Sequence, residues 1–318
     1  MRKRSIGKLE VSAIGLGCMG MSNGFGNPKD EKEMCDLMAL AFNSGITLFD
    51  TAEAYGAYQN EELVGKGIKP FRNQIILATK CGMKMTDLKN NKTAISSDPQ
   101  VLRSSLEDSL NRLQTDVIDL YYLHRVDPNV PVEIVAELMH EFYNEGKIRA
   151  WGISDSDPKT IQRADDVFHL SAVQTQYNIM YREVEKELLP LLKEREIALV
   201  CNTPLAKGFL TGTITTETRF GENDSRAHYS RFQKENILAN QVLIDLIQEI
   251  AERKHASIAQ ISLAWLLAQG SNVIPIPGTT NPARLKENIS ATDIEFTEEE
   301  SSFLRQALNK ITIAGGFL

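Results

Sequence analysis

The sequence predicts an α/β fold, a (β/α)8 barrel in which eight parallel strands alternate with helices. Two observations favour this fold: short apolar or β-branched runs recur eight times, and amphipathic helical segments separate them. Eight is the number of parallel strands that closes such a barrel, which typically takes about 250 residues. Because no linker or change in composition divides the 318 residues, we expect a single domain over residues 1–318.

The predicted strands are short runs of apolar and β-branched side chains. They cover residues 13–17, 47–50, 75–80, 118–124, 150–154, 172–177, 198–202 and 273–278. The predicted helices cover residues 30–43, 60–67, 98–113, 131–145, 157–168, 183–195, 239–255, 257–269 and 282–290. Four of the helices begin after a side chain that caps a helix N-terminus by accepting an amide hydrogen bond; these residues are Asp30, Asp98, Asp157 and Asn281.

Segments outside the eight repeated units account for the remaining length. The first residues predict a β-hairpin with its turn at Gly7 and Lys8, and a C-terminal helix is expected over 297–310. The helix over 257–269 is also additional to the repeat, and residues 211–238 are expected to form a long loop.

Composition and charge exclude several classes of function. The formal net charge is −7, which argues against nucleic-acid binding, since that requires a basic face. No apolar run approaches the roughly 20 residues of a membrane span, and the basic N-terminus lacks the apolar core of a secretory signal. Four scattered cysteines predict a reducing, cytoplasmic location, and five histidines without ligand spacing predict no metal site.

Gly15, Gly17 and Gly20 have the G-x-G-x-x-G spacing of a dinucleotide-binding Rossmann turn. That turn requires a helix directly after the third glycine, so that the helix N-terminus meets the pyrophosphate. Here a segment rich in Gly, Asn and Pro follows, and helical periodicity begins only near Asp30. We therefore predict a tight strand-to-loop turn at these glycines.

Polar side chains end several predicted strands, and chemistry in a barrel is located at these carboxyl ends. The second strand ends at Asp50, the third at Lys80 and the fourth at His124. A single charge there would most often be a solvated loop residue, but polar ends on successive strands indicate a functional site. Later strands add polar residues to the same mouth: Ser154, Gln174, Gln176, Asn202 and Thr203.

These side chains are suited to proton delivery. Asp50 and Lys80 can pair, and Tyr55 follows on the next loop. A phenol has an ordinary pKa near 10 and holds its proton at pH 7, and we expect the Lys80 ammonium to lower that pKa. Tyr55 is thus the predicted general acid, and His124 is expected to orient a substrate oxygen. No side chain donates a hydride, so reduction of a carbonyl would require a nicotinamide cofactor.

Asp50, AEAYG with Tyr55, Lys80 and YYLHRVD with His124 resemble the active-site tetrad of the aldo-keto reductases. The resemblance extends over nearly the whole chain, through KLEVSAIGLGCMGMS, GKIRAWGIS, VQTQYN, TPLAKGFLTG and VIPIPGTTNPARLKENISA. It implies a (β/α)8 barrel that binds NADPH across its mouth and reduces small-molecule aldehydes or ketones to alcohols.

The resemblance also implies cofactor contacts, residue by residue. Ser154 and Gln174 would hold the nicotinamide carboxamide, and Arg284 would meet the 2′-phosphate. The other implied contacts lie along the extended cofactor: Gly17, Cys18 and Met19 near the ribose, Asp50, Asn202 and Thr203 at the strand ends, Leu205, Gly208 and Leu210 around the pyrophosphate, Gly278 and Thr279 at the 2′-phosphate, and Glu287 and Asn288 at the adenine.

Two positions depart from the family pattern. Asn202 stands where relatives often have an aromatic residue that stacks on the nicotinamide, and Thr280 stands where many have a lysine. Both departures are expected to weaken NADPH binding, and the second to relax the preference for NADPH, so that NADH is a possible cofactor.

Two other functions stay open. One is a cofactor-sensing regulatory subunit with vestigial catalysis, as found among relatives of this fold, and the intact tetrad argues against it. The other is aldolase-type chemistry through a Schiff base on Lys80, which Asp50 disfavours because it would keep the lysine protonated. The substrate and the choice between monomer and homo-oligomer also stay open.

Loops are expected to set substrate choice. The candidate loops are residues 21–27, 83–97 and 211–238 and the C-terminal segment TIAGGFL. Loop 211–238 either folds over the bound molecules or is a mobile surface loop. An aromatic wall for the substrate is predicted from Phe25, Tyr55, Tyr122 or Trp151, and Cys18 and Cys201 are expected near the mouth, either for packing or as redox-sensitive thiols.

Overall fold

The computed structural model describes residues 1–88, 92–221 and 223–316. The strands are β1 (Lys3–Ile6), β2 (Leu9–Ser12), β3 (Leu16–Gly17), β4 (Leu48–Asp50), β5 (Ile76–Cys81), β6 (Met83–Asp87), β7 (Lys92–Ile95), β8 (Leu120–Leu123), β9 (Trp151–Ser154), β10 (Ala172–Gln176), β11 (Ala198–Asn202) and β12 (Val273–Pro275). The helices are α1 (Glu31–Asn43), α2 (Gln59–Ile68), α3 (Pro99–Leu113), α4 (Val132–Asn144), α5 (Pro158–Val167), α6 (Leu188–Glu194), α7 (Lys234–Ala239), α8 (Gln241–Arg253), α9 (Ile258–Leu267), α10 (Pro282–Ser290) and α11 (Glu298–Leu308).

The eight predicted strands form one parallel sheet in the order β3-β4-β5-β8-β9-β10-β11-β12. A parallel bridge between Gly17 and Gly278 joins the first strand to the segment after the last, and Gly15 N donates to Pro275 O at 3.0 Å. The predicted (β/α)8, or TIM, barrel is therefore confirmed. Residues 1–12 form the predicted hairpin, whose Ile6 and Val11 pack into the barrel interior.

Gly17 of the G-x-G-x-x-G segment and Gly278 are needed where the barrel closes. A Cβ atom on Gly17 would lie 2.8 Å from Ile276 O, and one on Gly278 would lie 2.9 Å from Gly17 O. Only glycine permits two backbones to approach this closely. The next α-helix begins at Glu31, as the prediction of a strand-to-loop turn requires, and no Rossmann helix follows Gly20.

Several element boundaries differ from the prediction. The helix predicted over 183–195 consists of a 3-10 turn at Glu183–Glu185 and the separate helix α6. Pro190 explains the break, because a proline without an amide proton is tolerated only in the first turn of a helix. The helix predicted over 239–255 is interrupted at Asn240, where the buried side chain hydrogen-bonds Ala314 in both directions.

Two segments predicted as loops contain regular structure. Residues 83–97 include the antiparallel hairpin β6–β7, and residues 211–238 include short 3-10 turns and helix α7. Residues 89–91 and 222, which belong to these predicted loops, and residues 317–318 of the C-terminal segment lie outside the described residues. Within the described ranges, no helix has the length and hydropathy needed to cross a membrane.

Asp119 is a fully buried carboxylate at the amino end of β8, on the side of the barrel opposite the mouth. It accepts hydrogen bonds from Leu77 N at 2.9 Å and from Arg149 at 2.7 Å, and it pairs with Arg72 at 2.7 Å. We expect Asp119→Ala to lower the free energy of unfolding by about 3 kcal/mol, since removing the buried carboxylate leaves its ion-pair and hydrogen-bond partners without an acceptor.

The measurement for Asp119→Ala is the midpoint of urea unfolding at constant slope. Asp36→Ala is the matched control, because its carboxylate pairs with Lys32 in solvent and should contribute little. Equal midpoints for the two variants would contradict a stabilising role for Asp119.

Candidate active site

Three of the predicted catalytic side chains meet at the carboxyl ends of β4 and β5. Lys80 is fully buried, and its Nζ donates to Asp50 Oδ1 at 2.5 Å, to Thr51 O at 2.7 Å and to Tyr55 Oη at 3.4 Å. Parallel strands place both strand ends at one edge, which is why residues 30 positions apart can meet. One ammonium therefore contacts both the carboxylate and the phenol.

The second oxygen of Asp50 is also bound. Gln174 Nε2 donates to Asp50 Oδ2 at 2.7 Å, and Gln174 lies beside Ser154 in the register of β10 and β9. All three side chains are buried. A buried carboxylate needs such partners, because an unpaired charge in the interior is strongly unfavourable.

The expected lowering of the Tyr55 pKa by Lys80 is wrong as a net effect. Burial of the hydroxyl raises the pKa of Tyr55 and the charge of Asp50 adds to the rise, although Lys80 acts in the opposite direction. Removal from water penalises the phenolate more than one ammonium, itself paired to a carboxylate, can compensate. Tyr55 thus holds its proton at neutral pH.

His124 lies next to Tyr55, with ring centroids 5.9 Å apart in an edge-to-face arrangement. Its side chain is 7% exposed, and Nδ1 has no hydrogen-bond partner among the described residues. Burial lowers the pKa of His124 well below its usual value, and the positive charges of Lys80 and Arg125 lower it further. The imidazole is therefore neutral at pH 7 and able to form a hydrogen bond without carrying charge.

A buried polar network, which the sequence did not reveal, holds the backbone around these side chains. Asn60 Nδ2 donates to Cys18 O at 3.0 Å and to Ser22 Oγ at 2.7 Å, and its Oδ1 accepts from Thr51 Oγ1. Cys18 N in turn donates to Asp50 O at 2.8 Å. The turn after β3 is thereby fixed to the strand end that carries Asp50. An asparagine on the apolar face of helix α2 was the only signal for it.

Residues implied to contact a cofactor lie along the same mouth. Gly17, Cys18 and Met19 form the turn after β3, and Asn202 and Thr203 end β11. The segment that follows contains a 3-10 turn over Ala206–Thr211 with left-handed backbone at Ala206, Lys207 and Gly208. It includes Leu210 and begins directly after Leu205.

The last group of implied contacts lies around helix α10. Gly278 pairs with Gly17 at the barrel closure, and Thr279 leads into the helix N-terminus capped by Asn281. Arg284 is exposed in the first turn, and the described residues offer it no carboxylate partner. Further along the same helix, Glu287 is half-buried and Asn288 is buried.

Loop 211–238 folds against the loop after β3 rather than extending freely. Phe25 and Asp224 form an antiparallel bridge, Gly26 N donates to Asn223 O at 3.1 Å, and Arg226 lies over the Phe25 ring. Lys207 Nζ donates to Tyr229 Oη at 2.9 Å. The loop is therefore anchored at its central part and at Tyr229, and its role above a bound molecule stays a prediction.

The predicted aromatic wall is wrong for two of its members. Tyr122 faces the barrel interior among Leu48, Leu120 and Ile274, and Trp151 donates its indole N–H to Phe168 O at 3.0 Å at the far end of β9. Both are fully buried. Strands covered on both faces carry apolar residues at every position, so the sequence could not indicate which side chains reach the mouth.

Cys18 and Cys201 are fully buried, with each Sγ against a backbone carbonyl. Burial raises the pKa of both thiols. Burial outweighs the positive charges that act on them, Lys80 on Cys18 and Arg4 on Cys201. A buried thiol with a raised pKa is unreactive, so packing accounts for both residues better than redox sensing does.

Known proteins are similar to this chain in sequence and in fold. The model of the Aldo/keto reductase family matches residues 13–309. The probable aldo-keto reductase 1 of Glycine max is 38% identical over 308 residues, which are 96% of this chain and 88% of that protein. The glycerol dehydrogenase AKR11B4 from Gluconobacter oxydans has a TM-score of 0.90 at 28% identity, over 99% of this chain and 98% of that one. An aldo-keto reductase from Klebsiella pneumoniae, solved in complex with NADPH, has a TM-score of 0.73 at 26% identity, over 96% and 95%.

Acid–base side chains gathered at the carboxyl mouth of a (β/α)8 barrel lie where enzymes of this fold have their active sites. The family match covers nearly the whole chain and the Glycine max relative exceeds 30% identity. The chain belongs to the aldo/keto reductase family.

Proposed function

We propose that this chain is an NADPH-dependent carbonyl reductase, a cytoplasmic single-domain enzyme that converts aldehydes or ketones to alcohols. The observation that carries the proposal is the contact of one buried ammonium, Lys80, with both Asp50 and Tyr55. Burial and Asp50 keep the phenol protonated at neutral pH, and Lys80 places a fixed positive charge beside it. This arrangement suits delivery of a proton to an oxygen on which negative charge develops.

Each member of the tetrad has a defined part in the proposed reaction. Tyr55 Oη gives its proton to the substrate oxygen, and Lys80 stabilises the phenolate that remains. Asp50 keeps Lys80 charged and in place. His124 is neutral and donates a hydrogen bond that orients the carbonyl, which leaves Tyr55 as the acid.

The residues present fit a nicotinamide cofactor, which when bound would supply the hydride. Gln174 Nε2 is already used by Asp50, so its side-chain oxygen is left to accept from the carboxamide, with Ser154 beside it. The exposed Arg284 at the N-terminus of α10 suits a phosphate, since both the guanidinium and the helix end favour an anion.

Arg284→Met tests the 2′-phosphate assignment. We expect NADPH affinity to fall by roughly tenfold or more, because hydrogen bonds between charged groups contribute about 1.5–3 kcal/mol, while NADH affinity is unchanged. Titration of protein fluorescence with each cofactor measures both. Lys286→Met on the same exposed turn is the control, and an equal loss for both cofactors would contradict a phosphate contact.

The function itself is tested by NADPH oxidation with a panel of methylglyoxal, 4-nitrobenzaldehyde and small ketones. Turnover of at least one carbonyl is the expected result. Tight NADPH binding without turnover of any carbonyl would contradict the proposal and favour a cofactor-sensing regulatory subunit.

A further inference from the structure

Glu53 is a fully buried carboxyl in the Tyr55 loop, residues 51–58, two positions before the proposed acid. Its backbone N donates to Lys80 O at 3.2 Å, and its Oε1 accepts from Met83 N at 3.2 Å. Met83 is the first residue of the hairpin β6–β7. The Glu53 side chain therefore connects the loop that carries Tyr55 to the segment that follows Lys80.

The other carboxyl oxygen of Glu53, Oε2, has weaker polar contacts than Oε1. Within the described ranges, neither Oε2 nor Ser105 Oγ on helix α3 has a partner at full hydrogen-bond geometry, although the two groups are close enough for the hydroxyl to lower the pKa of Glu53. Glu61 on α2, also fully buried, adds a carboxyl nearby, although Arg112 holds it at 2.7 Å. Cys81 on β5 and Tyr121 on β8 complete the surroundings with uncharged groups. Such a site accommodates a neutral carboxylic acid better than a carboxylate.

We propose that Glu53 is a positioning residue for the reduction, which holds the Tyr55 loop against the hairpin β6–β7 when protonated and releases it when ionised. The inference rests on the reductase function proposed above. It concerns how the acid is held and not which group is the acid.

Glu53 titrates near neutral pH. Burial raises its pKa to about 7 and the charge of Glu61 adds to the rise, whereas Lys84 on β6, the Ser105 hydroxyl and Met83 N lower it. Tyr55 and His124 titrate outside this range, because the pKa of Tyr55 is raised and that of His124 is well below its usual value. Ionisation strengthens the hydrogen bond from Met83 N, but the cost of burying the charge outweighs both that bond and the Ser105 hydroxyl, so the loop must move to hydrate the carboxylate.

The test compares wild type, Glu53→Gln and Lys84→Met in single-turnover reduction of one carbonyl by saturating NADPH across neutral pH. We expect the wild-type rate to fall several-fold as pH rises, with a midpoint near 7, and the fall to be absent in Glu53→Gln. Lys84 is partly exposed and pairs only loosely with Asp108, at 3.6 Å, so its replacement should leave the fold intact. It should move the midpoint to higher pH, because the ammonium lowers the pKa of Glu53.

A second readout does not depend on activity. Because the folded-state pKa of Glu53 is raised, its ionisation costs stability as pH rises above its unfolded pKa toward 7. The Tm of wild type should therefore decline relative to that of Glu53→Gln over this range and run parallel above it. If no carbonyl is reduced, the proposed function fails while this comparison still tests the titration.

Three results would overturn the inference. These are a wild-type rate that is constant across neutral pH, an unchanged inflection in Glu53→Gln, and an unmoved midpoint in Lys84→Met. If Glu53→Gln loses the same fraction of the rate at every pH and the midpoint in Lys84→Met does not move, Glu53 has only a structural role. If Glu53→Gln does not fold, the pH midpoint of the rate in Lys84→Met decides whether the inference holds.

Discussion

Tyr55→Phe is expected to lower kcat/KM for carbonyl reduction by about 10²–10⁴, the usual contribution of a positioned general acid. The substitution removes only the hydroxyl that lies 3.4 Å from Lys80 Nζ and leaves the ring beside His124. NADPH affinity should therefore be unchanged. Initial rates at several substrate concentrations, together with a fluorescence titration of NADPH, measure both quantities.

Tyr58→Phe is the matched control for this substitution. Tyr58 lies three residues further on, and its hydroxyl only accepts a hydrogen bond from Met85 N at 3.2 Å. It should keep most of the wild-type activity. Wild-type activity in Tyr55→Phe would contradict the proposed acid, and equal losses in both variants would indicate a disturbed loop.

Lys80→Met should abolish most activity and also destabilise the fold. Without the ammonium, the largest effect that offsets burial and Asp50 on the pKa of Tyr55 is lost, so the phenolate becomes harder to form. Asp50 also loses its partner at 2.5 Å inside the protein. Breaking a buried pair in this way costs about 3–5 kcal/mol of unfolding free energy. The measurements are kcat and the midpoint of urea unfolding.

The double variant Lys80→Met with Asp50→Asn separates the two effects. An amide needs no countercharge and can still accept from Gln174, so much of the lost stability should return. Activity should stay low, because the ammonium beside Tyr55 is still missing. Recovery of activity in the double variant would contradict the role given to Lys80.

The alternation of apolar strands and amphipathic helices was sufficient to predict the barrel, since every crossover buries a helix face against a parallel strand. The strand-end positions of Asp50, Lys80 and His124 could likewise be read from the sequence. The glycines at 15, 17 and 20 matched a Rossmann pattern by spacing alone, and only the missing helix indicated otherwise. The constraint on Gly17 is the approach of β3 to the backbone after β12, a contact between residues far apart in the sequence.

Other features depend on packing that no local pattern encodes. The hairpin β6–β7 is short, and none of its residues is buried, so no apolar run marks it in the sequence. The pKa of Tyr55 depends on the balance between burial and one ammonium, which spacing cannot supply. Glu53 lies in the AEAYG motif, in which the sequence drew attention only to Tyr55. Its burial follows from how α2 and α3 cover the loop.

The central claim is that a hydride reaches a carbonyl carbon while Tyr55 supplies the proton. Its most direct test is reduction of 4-nitrobenzaldehyde by NADPH that carries deuterium at both positions of C4 of the nicotinamide, followed by mass spectrometry of the alcohol. The account predicts one deuterium on the carbinol carbon with wild type and very little alcohol with Tyr55→Phe. Alcohol formed without deuterium, or formed equally fast by Tyr55→Phe, would contradict it.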